Sequence, residues 1–148
     1  MIPLRLWYSH DQKAGDIATT HAELDVLLDR LSALSTPEWP ALAEVTPAAS
    51  KYGPALYVGL HVDLGALRAS TADDPGPYYT VGEGSSDGEP ILYMYTTSDG
   101  EVPANAEIPA ALVRQAAHEF ADTGVRPTCV DWQIWKAPVL DTESEFPE

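Results

Sequence analysis

The stretch IPAALVRQAAHEFADTGVRPTCVDWQIW, residues 108–135, decides the fold, because it spells a helix, a glycine stop and a tryptophan-bearing strand in immediate succession. Pro109 suits a first helical position, where its missing N–H is not needed, and Val113, Ala116, Ala117 and Phe120 then share one apolar face that must pack on something. Gly124 stands where a left-handed C-terminal cap belongs, and Pro127 keeps the helix from resuming. From Thr128 to Trp135 the residues Val130, Trp132 and Ile134 alternate with Asp131, Gln133 and Trp135, the period of a strand. Phe120 and Trp132 are assigned to the core.

Upstream, Leu4, Leu6 and Tyr8 alternate with Arg5 and Trp7 as an opening strand, and Asp11 to Asp16 read as a polar connection. Thr20 and Glu23 match a capping box, followed at helical spacing by Leu24, Leu27, Leu28, Leu31 and Leu34 until Pro37 and Pro40 end the helix. A Pro- and Ala-rich loop then leads to two apolar strands, Ala55 to His61 and Leu64 to Ser70, which pair across a short turn. Asp73 to Gly76 form a turn, Tyr78 to Val81 a short strand, Gly82 to Pro90 a Gly-, Ser- and acid-rich loop, Ile91 to Tyr95 a strand, and Asp99-Gly100 a further turn. This order predicts an α+β fold, a mainly antiparallel sheet with two principal helices packed on one face.

With 148 residues the chain is expected to form one domain over residues 1–140, followed by an acidic, mobile tail at 141–148. The lone Cys129 excludes an internal disulfide and reads as a small buried residue of the strand. The start carries neither the apolar run nor the cleavage site of a secretory signal, and no apolar stretch is long enough to span a bilayer, so the expectation is a soluble cytoplasmic protein. Eight Lys and Arg against 23 Asp and Glu leave a formal charge of −15, which repels nucleic acid and anionic membranes and attracts basic proteins.

No catalytic constellation is visible. His10, His21, His61 and His118 are scattered, and His118-Glu119 is no zinc motif, since Asp122 occupies the place of the second histidine. That pair reads as the polar flank of an amphipathic helix. Gly82-Glu83-Gly84 lacks the helix and lysine of a phosphate loop, Asp73-Asp74 sit on a turn tip where carboxylates stay solvated, and Ser85-Ser86 have no base beside them. No cofactor and no metal are expected. The middle of the chain instead alternates acids with tyrosines: Asp73, Asp74, Tyr78, Tyr79, Glu83, Asp87, Glu89, Asp99 and Glu101 fall on adjacent turns and short strands. Aromatic anchors inside an acidic rim suit the grip on a basic, concave protein partner, and Trp135 is a further candidate.

The residues from Glu107 to Trp132, with their helix, the EFADTGVRP turn and the CVDWQ strand, resemble the immunity protein family numbered one of bacterial polymorphic toxin systems. Gly59, the PYYTVG segment from Pro77 to Gly82, the Ile91 to Tyr95 strand and Asp99-Gly100 come in the order that family shows, so the likeness covers roughly the last two thirds of the chain. The resemblance implies a protein encoded beside a secreted toxin, frequently a nucleic-acid deaminase, that binds the toxin domain and blocks its active site. It implies no enzymatic activity and a 1:1 complex with that toxin. A small-molecule sensor or adaptor, recognisable by a liganded apolar cavity, and an enzyme with shifted carboxylates in a deep pocket stand as alternatives.

Overall fold

The computed structural model describes residues 1–9, 12, 14–49, 53–70, 78–95 and 98–136, and among them Thr20 opens the first helix with its own side chain. Its hydroxyl accepts from the Glu23 N–H at 3.1 Å, and Glu23 Oε1 reaches back to the N–H and hydroxyl of Thr19, both at 2.7 Å. The reciprocal cap therefore closes one residue earlier than the sequence pattern places it. The helix, α1 (His21–Leu34), buries Leu24, Leu27, Leu28 and Leu31. Leu34 leaves that stripe and is exposed, because the last turn runs past the edge of what it covers.

The strands are β1 (Leu4–Trp7), β2 (Asp16–Ala18), β3 (Ala41–Pro47), β4 (Ala55–His61), β5 (Leu64–Ser70), β6 (Tyr78–Thr80), β7 (Ile91–Tyr95), β8 (Ser98–Val102), β9 (Ile108–Pro109) and β10 (Trp132–Ile134). They form one sheet in the order β10-β6-β5-β4-β3-β1-β2, antiparallel throughout that path. The sequence pattern does not mark β2 or β3 as strands. β2 begins on Asp16, the last residue of the polar connection, and β3 lies in the Pro- and Ala-rich segment, where alanines fill a strand covered on both faces.

The second helix, α2 (Ala110–Thr123), begins one residue later than the sequence reading, with Pro109 as N-cap. Pro109 faces Leu64 in the short β9 pairing, and Asp63 C=O accepts from the Ala110 N–H at 2.8 Å. Gly124 ends the helix at φ 70, and its N–H donates to Phe120 C=O. Both helices lie on the same face of the sheet, where Val45, Leu56, Val58, Leu60 and Leu67 meet Leu28, Leu31, Val113, Ala117 and Phe120 in one core. The expected α+β architecture, with a mainly antiparallel sheet and two helices on one side, is what the chain adopts.

The opposite face carries a second, smaller core of Leu42, Ala66, Tyr79, Tyr93, Val102 and Ala106. It exists because β7 and β8 do not extend the sheet but fold over it, joined to β3 by one parallel pair, Ala41 and Met94. Tyr95 pairs with Ser98, so the chain has already reversed before Asp99-Gly100, which belong to strand and not to a turn. Gly100 lets that strand approach the sheet, since a Cβ there would stand 3.2 Å from Leu42 Cδ2. The strand Ile91–Tyr95 pairs with β8, whereas β6 pairs with β5 and β10, so the two short strands on either side of the acidic loop are not partners of one another.

The final strand is shorter than Thr128 to Trp135. Only Trp132–Ile134 pair, with Ile134 exposed and Trp132 half-buried against the helical core, its Nε1–H donating to Pro127 C=O at 2.8 Å. Cys129 is likewise half-buried, and burial followed by the neighbouring Glu119 pushes its thiol up, as befits a packing residue. The turn at Asp73 to Gly76, His10 and the tail at 141–148 lie outside the described residues. Among the described residues no helix is long and apolar enough to cross a membrane.

Candidate functional site

Strand register builds a row of side chains across the helix-free face. Glu44 on β3 stands opposite Tyr57 on β4, Tyr57 opposite Arg68 on β5, Arg68 opposite Tyr79 on β6, and Tyr79 opposite Gln133 on β10. The period of two decides which residues join it, because Leu56, Val58, Leu67 and Ala69 on the same strands turn to the helices instead. The row is tied together along its length. Tyr57 donates its phenolic hydrogen to Glu44 Oε2 at 2.9 Å, and the Arg68 guanidinium lies 5.5 Å from the Tyr57 ring centre and 5.8 Å from that of Tyr79. Trp135 meets the Tyr79 ring edge-on at 5.4 Å.

The folded-over strands β7 and β8 wall one side of this row and leave a groove of about 450 Å³, lined by Leu42, Tyr57, Arg68, Tyr79, Leu92 and Glu101 among others. Tyr93 fixes the wall. Its ring packs where a Cβ on Gly59 would stand 2.5 Å away, and its hydroxyl donates to Glu107 Oε2 at 2.7 Å, with His61 Nδ1 3.7 Å from the same oxygen. Burial, then the Glu107 carboxylate, pushes the Tyr93 phenol far up, so it stays protonated as a donor. Tyr79 is also raised, by burial first, while Arg68 pulls it down and Glu101 pushes it up, which sets both charges close to its ring.

A polar strut holds the far end of the groove. Thr80 Oγ1 donates to Ala106 C=O and accepts from the Leu67 N–H, Gln133 Nε2 donates to Asn105 Oδ1 and Thr80 C=O, and the Gly82 N–H donates to Asn105 C=O. Gly82 is required there, since a Cβ would come within 2.0 Å of Glu107 O. The acid-rich loop from Gly82 to Pro90 is thereby anchored at its root.

The sequence-derived candidates distribute unevenly on this frame. Tyr79 and Glu101 line the groove together. Glu83, Asp87 and Glu89 are exposed on the loop that connects β6 to the groove wall. Asp99 stands opposite Met94 in β8, and its side chain lies outside the described residues, as do Asp73 and Asp74 entirely. Tyr78 turns to the other face, where it packs against the helical core with Arg126 3.9 Å over its ring, so adjacent Tyr78 and Tyr79 serve opposite sides of the sheet. Sequence reasoning missed Arg68 and Tyr57. An arginine inside the otherwise small and apolar strand LGALRAS was the available signal for the first.

No group of three or more His, Cys, Asp or Glu side chains among the described residues is placed to hold a metal ion. The groove therefore offers aromatic faces, one guanidinium and one carboxylate, a set suited to contact and charge recognition. No curated protein matches the chain. The family model described as immunity protein Imm1 matches residues 12–134, which takes in β2, α1 and β3 as well as the later segments that carried the resemblance. The chain belongs to the Imm1 family of immunity proteins, whose members neutralise toxins.

Proposed function

We propose that this immunity protein neutralises a toxin that deaminates nucleic acid, and that it does so by seating its helix-free face over the toxin's catalytic opening in a 1:1 complex, without turnover of its own. The observation that carries this reading is the convergence of Tyr57, Arg68, Tyr79 and Glu101 in one open groove, with further exposed acids on the 82–90 loop that connects two of its strands. A deaminase that acts on DNA or RNA needs a cationic surface around its base pocket, and a chain with a formal charge of −15 is complementary to it. The carboxylates of Glu83, Asp87, Glu89 and Glu101, with Asp73, Asp74 and Asp99 on the same tract, speed encounter, and the aromatic groove supplies the contacts that hold. Tyr78 supports the sheet from behind.

The groove volume also lies in the range of small-molecule sites, which is the basis of the sensor reading. Co-expression with the polypeptide encoded beside it separates the two. The expected result is a co-purifying complex, rescue of growth, and loss of cytosine or adenine deamination on single-stranded DNA or RNA. A neighbouring toxin of another activity would overturn the deaminase assignment, and a co-purifying metabolite without any protein partner would favour the sensor.

A further inference from the structure

Arg68 is the arginine that lines the groove of this acidic molecule. Among the other described arginines, Arg30 lies 3.7 Å from Asp16, Arg114 lies 2.7 Å from Asp29, Arg5 donates to Ala14 C=O, and Arg126 lies 3.9 Å over the Tyr78 ring on the opposite face of the sheet. Arg68 has no carboxylate within 4.0 Å among the described residues, although Glu101 lines the same groove and Glu44 stands only two places along the same row. Glu44 is occupied by the Tyr57 hydroxyl instead. Rings flank the guanidinium on both sides, and both are held: Tyr57 by Glu44, Tyr79 by Trp135 and by its burial. An exposed arginine normally loses considerable side-chain freedom on binding, but one already lodged between two fixed aromatic neighbours loses less.

We propose that Arg68 is the specificity anchor of the groove and receives an acidic side chain, Asp or Glu, from the toxin surface, in a bidentate pair laid between Tyr57 and Tyr79. This rests on the reading of the helix-free face as the toxin-binding surface. The guanidinium presents two parallel N–H donors in a plane, the geometry a carboxylate accepts, and the tyrosine rings exclude water from both sides of the pair. The acidic loop selects a basic partner in general, whereas a single inverted charge at the centre selects among basic partners. A noncognate toxin that carries a lysine or an apolar residue at the matching point leaves Arg68 covered and unpaired, which is costly.

The test is the dissociation constant of the purified cognate toxin domain for the wild type and for R68K, R68Q and R68E, each with its thermal midpoint checked. R68K keeps the charge and loses the fork, so it is expected to weaken binding about tenfold or more, chiefly through faster dissociation, with R68Q and R68E weaker still. Pairing R68E with toxin variants in which single surface acids are changed to arginine should restore affinity at one position. Tight wild-type binding combined with R68K and R68Q binding within about twofold of it would overturn this proposal and leave the toxin-binding reading intact. A wild type that does not bind the toxin overturns both.

Discussion

His21 on α1 and His118 on α2 face one another through their Nδ1 atoms at 2.6 Å, and each turns its Nε2 to a carboxylate of the opposite helix, His21 to Asp122 at 2.8 Å and His118 to Asp25 at 2.7 Å. A carboxylate accepts, so each ring turns a donor edge to the opposite helix, and the two ring centres lie 4.8 Å apart. Arg114, 2.7 Å from Asp29, and the N-terminal amino group, 3.9 Å from Asp122, complete the clasp between the helices. His118→Ala should cost about 1 kcal/mol in urea unfolding, as expected for partly exposed polar contacts. An unfolding midpoint unchanged in that variant would contradict this arrangement.

Gly59 and Tyr93 define the groove wall. A methyl at Gly59 would stand 2.5 Å from the Tyr93 ring, which is fully buried and has nowhere to retreat. Gly59→Ala should destabilise the protein by about 2 kcal/mol through overpacking. Because the displaced ring carries β7 with it, the variant should also bind toxin more weakly than its stability alone explains, measured at a temperature where it remains folded.

Glu119 holds the turn that leads into β10. Its carboxylate accepts from the Thr128 N–H at 2.6 Å, the Thr128 hydroxyl at 3.0 Å and the Cys129 N–H at 3.1 Å. Slight burial pushes its acidity the other way, yet these donors outweigh it and hold the group below the ordinary value of 4.5. A depressed folded-state value means that the stabilisation is present above the unfolded value and is lost as pH falls through the folded one. Thermal midpoints should decline on that acid side in the wild type and decline less in Glu119→Gln, which at neutral pH should be weaker by about 1 kcal/mol.

How much of this was legible follows from what each signal needs. Capping at Thr20, the leucine stripe of α1, the apolar face of α2 and the Gly124 stop are local, and the helices formed where those residues put them. Strands β4 and β5 were equally plain, each being a seven-residue run beside a short turn. Strand β3 was not, because ALAEVTP carries alanine and proline where strand signals are strongest in β-branched residues. Tyr79 and Glu101 were legible as types of residue in a tract, but Arg68 and Tyr57 become neighbours of Tyr79 only through the register of three strands. Which face the helices would leave open was not written in any one segment.

Trp132 shows the same limit. Its alternation placed it in the core, whereas β10 is an edge strand and leaves it half-buried. Full burial would make Trp132→Ala cost about 3–5 kcal/mol, so the exposed edge lowers the expectation to about 2 kcal/mol. Chemical denaturation of the variant distinguishes the two.

Methyl NMR of the protein titrated with its toxin domain tests most directly which face the toxin covers. Leu42, Leu92 and Val102 report on the groove, while Val26 and Leu34 are exposed on the helix α1. The groove methyls are expected to shift and broaden as complex forms while Val26 and Leu34 stay in place. Shifts confined to Val26 and Leu34, with Leu42, Leu92 and Val102 unmoved, would put the toxin on the helical side and contradict the proposed binding face.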